Sequence, residues 1–282
     1  MSNYIITADT TFELSPQQVE QLGIVPIVSY VSLGDEMLDD FPEINASDVF
    51  AYVKKSGKLP QTAAANPGDY EEIFRSLREK DERPIIHIAK SSGTSSCCEN
   101  AMIAAREVEN VFVVDSENIS GGQGVLVLRA ARSSCESVQE LLADLEAFKK
   151  RVDMSFVIET LEFLHKGGRC SGLAALGANL LKLRPEIVME AGKMSPGKKY
   201  RGSYEKCLQA YLEERLQDLE QYDEASVWIC HTLEDPQMLE RMMDSIRGKN
   251  YFKEIICTSV CSAVATHCGP NTFGLFFARK QK

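Results

Sequence analysis

Short apolar runs that alternate with amphipathic segments constrain the fold of this chain more than any other sequence feature. Each run has the length of a strand and is rich in isoleucine or valine, which is typical of buried strands. The first half of the chain contains four of them, at residues 4–7, 24–28, 85–88 and 111–114. Because helical patterns separate the runs, they predict an α/β fold with a parallel sheet and helices on both faces.

The alternation continues in the second half, after a helix predicted over residues 137–150 with Ser137 as its N-cap. The next strand, at 156–158, leads us to divide the chain into domains 1–153 and 154–282. The remaining predicted elements are a hairpin with strands at 187–190 and 198–201 and a loop at 191–197, helices at 204–219 and 236–246, and strands at 227–229, 255–257 and 273–277.

The composition excludes several classes of protein. The chain has 282 residues and a net charge of −10, whereas general nucleic-acid binding requires clustered lysine and arginine. The N-terminus does not resemble a secretory signal, and the nine cysteines have no framework spacing, so we expect a soluble cytoplasmic protein with reduced thiols. Cys257, Cys261 and Cys268 near His267 lack the paired spacing of structural zinc sites. We therefore expect no metal and no cofactor.

Loops that follow parallel strands are where ligands bind in such a fold. Ser92, Gly93 and Thr94 follow a predicted strand and open a helical segment, where hydroxyls and backbone amides favour an anion. Capping of that helix by Ser92 or Thr94 is the alternative. Thr62 lies in a predicted loop of small residues before Pro67, which a ligand could approach closely, although an ordinary turn has the same composition.

Two further motifs place polar side chains beside glycines. His267 lies in a predicted turn that continues through Gly269 to Asn271, and asparagine tolerates the positive φ of such turns. A purely structural histidine is the alternative. Arg169 follows a short predicted helix that ends in two glycines, and its guanidinium is suited to carboxylate or phosphate oxygens. A solvated charge is the alternative there.

Together these motifs closely resemble the DegV family of bacterial fatty-acid-binding proteins, which includes carrier subunits of fatty-acid kinase. The similarity runs nearly end to end, and its most specific parts are 161–169 with 173–177, and 267–270 with 274–277. The resemblance implies an α/β/α domain followed by an α/β domain with a mixed sheet. It also implies that the ligand lies between the two domains.

The resemblance assigns roles to individual residues. It implies that the acyl carboxylate is surrounded by Thr62, Ser92 and His267. It also implies that these residues are supported by Gly93, Thr94 and Gly269. The chain departs from the family pattern at two places. Residues 63–66 are Ala-Ala-Ala-Asn where the family has Ser-Gln-Pro-Ser, and Asn271 replaces a glycine. The first departure removes hydroxyls from the loop, and the second is expected to preserve the backbone conformation.

The resemblance also implies a function that requires a partner. The chain is expected to bind a long-chain fatty acid and to present its carboxylate to an ATP-dependent fatty-acid kinase, because it has no phosphate-binding loop of its own. Arg169 is expected to contact that kinase or the acyl-phosphate product, and no independent enzymatic activity is expected. Two alternatives stay open. One is a serine esterase or acyl-transferase in which Ser92 attacks and His267 is the base, and the other is a lipid-responsive regulatory protein.

Overall fold

The structure is a computed structural model that describes residues 3–170 and 183–281, so the motif at 173–177 lies outside the described residues. Its strands are β1 (Ile5–Asp9), β2 (Val25–Ile27), β3 (Tyr30–Leu33), β4 (Glu36–Asp39), β5 (Gln61–Ala63), β6 (Ile85–Ala89), β7 (Val111–Asp115), β8 (Val152–Ile158), β9 (Leu183–Glu190), β10 (Lys193–Arg201), β11 (Ser226–His231), β12 (Glu254–Ser259) and β13 (Thr272–Ala278). Its helices are α1 (Pro16–Leu22), α2 (Ala46–Ser56), α3 (Pro67–Lys80), α4 (Cys97–Ala104), α5 (Gly121–Ala131), α6 (Val138–Lys149), α7 (Glu162–Gly167), α8 (Tyr204–Arg215), α9 (Pro236–Arg247) and α10 (Ser262–Cys268).

Four parallel strands in the order β2-β1-β6-β7 form the sheet of the first domain. The side chains of each strand alternate between the two faces of this sheet. Ile5 and Ile85 pack with Tyr70 in the cluster that includes α3 and α4. Ile6 and Ile86 lie in the cluster that includes α5 and α6. The predicted parallel sheet with helices on both faces is therefore confirmed.

The sheet of the second domain is mixed, in the order β10-β9-β8-β13-β11-β12. β11 and β12 pair in parallel, and the other neighbouring strands pair antiparallel. Phe273, Leu275 and Phe277 of β13 pack in the cluster that includes α8 and α9. Phe276 lies on the opposite face, with α5. The predicted α/β domain with a mixed sheet is confirmed.

The hairpin of the second domain is tighter than predicted. The seven-residue loop predicted over 191–197 is wrong: the turn consists of Ala191 and Gly192, which have positive φ values of 47° and 76°. Two successive residues of positive φ make a turn whose twist matches that of the flanking strands. Residues from Lys193 onward therefore pair with β9.

Thr62 and His267 lie in regular elements rather than in the predicted loops. Thr62 is the middle residue of β5 and pairs with Val31 in a three-stranded sheet of order β4-β3-β5. His267 lies in the last turn of α10. Pro67 begins α3 at its first position, as predicted.

Helix α5 lies between the two large sheets and is buried along most of its length. Gly124 permits this close packing, because a Cβ there would lie 2.3 Å from the Phe12 carbonyl oxygen and 2.6 Å from the Trp228 ring. The division into 1–153 and 154–282 falls inside β8 and stays a prediction. No helix within residues 3–170 and 183–281 is long and apolar enough to cross a membrane.

Candidate functional site

A cavity of about 250 Å³ lies between the two large sheets, beside α7 and α10. Its apolar wall includes Ile119, Met154, Phe156, Leu164, Met194, Val260, Val264 and Phe276. Its polar wall includes Thr11, Ser29, Thr62, Lys90, Thr94, Ser95, Ser96, Ser120, Arg169, His267 and Thr272. A cavity with an apolar wall and a few polar groups fits a ligand that is mostly apolar and carries a polar head.

Thr62 and His267 meet on this wall although 205 residues separate them in the sequence. Thr62 Oγ1 lies 2.8 Å from His267 Nε2, within hydrogen-bond distance. Packing of α10 against β5 and α7 holds the two side chains together. The structure thus brings together two of the predicted site residues, and their role toward a carboxylate stays a prediction.

The imidazole of His267 is neutral at pH 7. Burial, with smaller effects from Arg169 and Lys90, lowers its pKa from 6.5 to about 4. Within the described part of the chain, Nδ1 is buried without a hydrogen-bond partner. It lies against Gly167, where a Cβ would come within 2.5 Å of it. Packing therefore orients the ring, and Nε2 can share a hydrogen bond with Thr62 or a ligand without adding a buried charge.

The turn after β6 brings Ser95 rather than Ser92 to the cavity. Ser92 is exposed, and its backbone amide donates to the Asp115 carboxylate. Helix α4 begins too far along the chain for Ser92 or Thr94 to cap it, and Thr94 Oγ1 instead donates to the Ser91 carbonyl. Of the predicted Ser-Gly-Thr triplet, only Thr94 is part of the described cavity wall.

Gly93 contacts the tip of the β9–β10 hairpin rather than the cavity. A Cβ on Gly93 would lie 2.2 Å from the Gly192 carbonyl oxygen, so a larger residue has no space there. Ser91 Oγ donates to the same carbonyl at 2.7 Å. We call these three residues the hairpin contact. Because the hairpin also carries Met194 on the cavity wall, this contact holds one side of the cavity in place.

Gly269 and Asn271 shape the connection between α10 and β13. Both have positive φ, at 76° and 51°. A Cβ on Gly269 would lie 2.7 Å from the Phe163 ring, and Gly269 is not part of the cavity wall. Asn271 takes the left-handed conformation expected of it, and its Nδ2 donates to the Glu159 carboxylate at 2.7 Å.

Arg169 lies at the rim of the cavity. It follows Gly168, a residue of positive φ at which α7 ends, as the double glycine predicted. Its side chain is part of the cavity wall, and the residue is exposed to solvent. Nη1 donates to the Gly167 carbonyl at 2.6 Å. This guanidinium is therefore accessible from outside the cavity.

Comparison with known proteins agrees with this architecture. A family model described as an uncharacterised protein of the DegV family matches residues 4–280. The chain belongs to the DegV family. A DegV domain-containing protein from Deinococcus radiodurans is 28% identical over 283 residues, which cover 98% of each chain. The similarity therefore extends over both domains.

Solved DegV structures share the whole fold. A DegV family protein from Thermus thermophilus, described as fatty acid binding, has a TM-score of 0.90 at 25% identity and covers 98% of this chain and 99% of its own. DegV from Bacillus subtilis, described as a fatty acid binding protein, has a TM-score of 0.87 at 24% identity, with coverages of 99% and 100%.

Ser95 and Lys90 are among the residues on the cavity wall of this DegV-family chain that were not identified from the sequence. Ser95 belongs to a serine-rich stretch, in which composition alone does not indicate which hydroxyl faces a ligand. Lys90 is buried, and its Nζ donates to Ser29 Oγ at 2.6 Å. A lysine directly after the apolar strand β6 was the available signal, because buried lysines are rare.

Proposed function

We propose that this chain binds a long-chain fatty acid in the cavity, with the carboxylate near Thr62 and His267 and the acyl chain along the apolar wall. The observation that carries the proposal is the Thr62–His267 pair, which lies on the wall of a largely apolar cavity between the two domains. Relatives described as fatty acid binding support it. We assign to Ser95 the carboxylate contact that the resemblance implied for Ser92.

The acyl chain supplies most of the affinity in this proposal. Each buried methylene contributes about 0.8 kcal/mol, so about fifteen of them give roughly 12 kcal/mol before the entropy cost of binding is subtracted. The hydroxyls of Thr62 and Ser95 and the neutral ring of His267 compensate the desolvation of the carboxylate. Hydrogen bonds of this kind fix the orientation of the head group more than they add affinity.

We further propose that the bound carboxylate is presented to a separate ATP-dependent fatty-acid kinase in the cytoplasm. Phosphoryl transfer requires nucleotide, Mg²⁺ and charge stabilisation around the transferred group. The sequence has no phosphate-binding loop that would supply them. Arg169, exposed at the rim, is positioned to contact the kinase or the acyl-phosphate product.

The esterase alternative has less support. Ser92 lies outside the cavity wall, and the described partner of His267 Nε2 is Thr62 Oγ1. Thr62 would be the nucleophile in such an enzyme, but His267 Nδ1 has no acceptor within the described residues that would orient the ring as a base. A base with a pKa of about 4 is also weak at neutral pH.

The test measures acyl-phosphate formation by the kinase when the lipid is supplied on the Arg169→Ala variant. The matched control is the Lys166→Ala variant. Lys166 is an exposed cation on α7 that pairs with Glu162. We expect Arg169→Ala to retain lipid and thermal stability but to lower kinase turnover at least tenfold, about 1.4 kcal/mol. Lys166→Ala should keep normal turnover.

Other outcomes of this experiment contradict specific parts of the proposal. Parallel loss of lipid and turnover in Arg169→Ala would place the arginine in the head-group site. Tight lipid binding by the wild type without acyl-phosphate formation by any cognate kinase would favour a regulatory protein. Hydrolysis of a chromogenic acyl ester that disappears in Thr62→Val would favour the esterase.

A further inference from the structure

The cavity wall contains a buried ammonium group whose hydrogen bonds are incomplete. Lys90 is 5% exposed, and its Nζ donates to Ser29 Oγ at 2.6 Å. An ammonium group has three N–H donors. Among residues 3–170 and 183–281, Ser29 Oγ is the only hydrogen-bond acceptor of Nζ, and no carboxylate oxygen lies within 4.0 Å of it. Two donors of a buried cation are therefore left for a ligand.

The carboxylates of Asp9 and Asp40 act on the charge of Lys90 but make their hydrogen bonds to other donors. Asp9 Oδ2 accepts from the backbone amide of Lys90 at 2.8 Å, and Asp9 Oδ1 accepts from Tyr70 Oη. Asp40 Oδ1 accepts from the Thr10 hydroxyl and the Ser29 amide, whereas Asp40 Oδ2 is buried without a hydrogen-bond partner among the described residues. These aspartates provide negative charge around Nζ without a direct contact to it.

The ammonium stays protonated in this environment. Burial lowers the pKa of Lys90, but the neighbouring acidic groups Cys97, Asp9 and Asp40 together raise the pKa above its usual value. The charge of Lys90 also contributes to lowering the pKa of His267, and both residues line the cavity.

We propose that Lys90 donates a hydrogen bond to the head group of the bound lipid and makes the cavity selective for an ionised head group. This inference rests on the proposed binding of a fatty acid in the cavity. Buried donors without acceptors are costly, and a carboxylate offers two oxygens with several lone pairs. A charge-assisted hydrogen bond is about twice as strong as a neutral one. An alcohol of the same chain length can accept a hydrogen bond from the ammonium group but brings no negative charge, so its interaction with Lys90 is weaker.

The test compares the affinities of delipidated protein for palmitic acid and for hexadecanol. Displacement of a fluorescent fatty acid measures both in the wild type, Lys90→Met and Lys149→Met. Lys149 is a matched control, because its side chain is 6% exposed and its Nζ pairs with Glu117 and Glu146 outside the cavity. The ratio of the two affinities is insensitive to general changes in the protein, because both ligands share the same acyl chain.

We expect the wild type and Lys149→Met to prefer the acid equally, and Lys90→Met to lower that preference at least tenfold. An unchanged preference in Lys90→Met overturns the inference while the proposed lipid binding stands. A wild type that binds neither ligand contradicts the proposed function itself. The two failures are thus distinguishable.

A second measurement uses the wild type, because loss of Lys90 leaves Asp9 and Asp40 without their neighbouring cation and can prevent folding. A crystal structure with bound palmitate should place Nζ within about 3.2 Å of a head-group oxygen. A palmitate whose two oxygens both lie beyond about 4 Å of Nζ overturns the inference, since no direct hydrogen bond spans that distance.

Discussion

Ser92 and Ser95 lie three residues apart in one turn, but the cavity distinguishes them. We predict that Ser95→Ala weakens fatty-acid binding by about 1 kcal/mol, because a buried carboxylate oxygen loses a donor. Ser92→Ala should have no effect, since that side chain is exposed. Dissociation constants of delipidated proteins measure the difference. If Ser92→Ala weakened binding more than Ser95→Ala does, the carboxylate contact would have to be assigned to Ser92.

His267 gives the stability of the protein a defined dependence on pH. Its pKa is about 4 in the folded state against 6.5 for an unperturbed histidine, so the unfolded state binds more protons between these values. The contribution of His267 to the free energy of unfolding should therefore fall as pH decreases from about 6.5 to about 4. We predict that the wild type loses stability relative to His267→Gln over this range.

Denaturant unfolding of delipidated protein at a series of pH values tests the His267 prediction. Burial also lowers the pKa of His87 and of His231, so the contributions of these two histidines should remain in the variant. His165→Gln, which changes an exposed histidine on α7, is the control and should behave as the wild type. Identical pH dependence in the wild type and His267→Gln would contradict the assigned protonation state.

At the scale of elements, the hairpin contact connects the second sheet to the turn after β6. We predict that Gly93→Ala destabilises the protein by about 1 to 3 kcal/mol, because its Cβ would lie 2.2 Å from backbone and the hairpin tip must move. Lipid retention should fall as well, since Met194 on the same hairpin lines the cavity. Thermal unfolding and retained lipid measure the two effects. Ser92→Ala, in the same turn, is the control, and normal stability of Gly93→Ala would exclude a tight contact.

Elements with apolar periodicity could be predicted from the sequence, and those made of short polar segments could not. β1 and β6 are buried throughout and appear as apolar runs. β5 has three residues, none fully buried, so its pairing with β3 depends on tertiary contacts that a local pattern does not contain. The tight turn before β10 was missed because the polar start of that strand resembles a loop.

At the scale of the whole molecule, Glu13 joins segments that are distant in the sequence. Its Oε1 accepts from Ser120 Oγ at 3.1 Å, and its Oε2 accepts from the Cys261 amide at the start of α10 at 2.7 Å. Burial raises the pKa of Glu13 to about 8, although these hydrogen bonds oppose the shift. The helix that carries His267 is thus anchored by a carboxyl group that is protonated at neutral pH.

The raised pKa of Glu13 predicts a contribution to stability that is lost between about pH 4.5 and pH 8. The folded state keeps the proton up to about pH 8, whereas the unfolded chain releases it near 4.5, so the contribution of Glu13 to the free energy of unfolding falls as pH rises through this window, opposite in sign to that of His267. We predict that Glu13→Gln becomes more stable relative to the wild type as pH rises through this window, because glutamine does not ionise. Unfolding measured from pH 5 to 8 tests this, with the exposed Glu190→Gln as control. A profile for Glu13→Gln that follows the wild type would show that Glu13 is ionised.

Only part of the candidate site could be predicted from the sequence. Thr62, His267 and Arg169 belong to motifs that resemble those of the family, and all three lie on the cavity wall. Ser95 and Lys90 were missed because their positions depend on contacts between distant segments. Lys90, for example, contacts Ser29, which lies 61 residues away in the chain. A local pattern indicates that a polar loop is present, but the assembled fold determines which side chain faces the cavity.

Native mass spectrometry of the protein purified from bacterial cells measures whether the folded chain carries a fatty acid. We predict that the folded wild type carries the added mass of one long-chain fatty acid, which is released on denaturation. Val264 lines the cavity, so the larger side chain of Val264→Trp should fill part of it. This variant should therefore lose the added mass while remaining folded. A wild type that shows the mass of the chain alone and takes up no added palmitic acid would contradict the account, as would a Val264→Trp variant that retains the lipid.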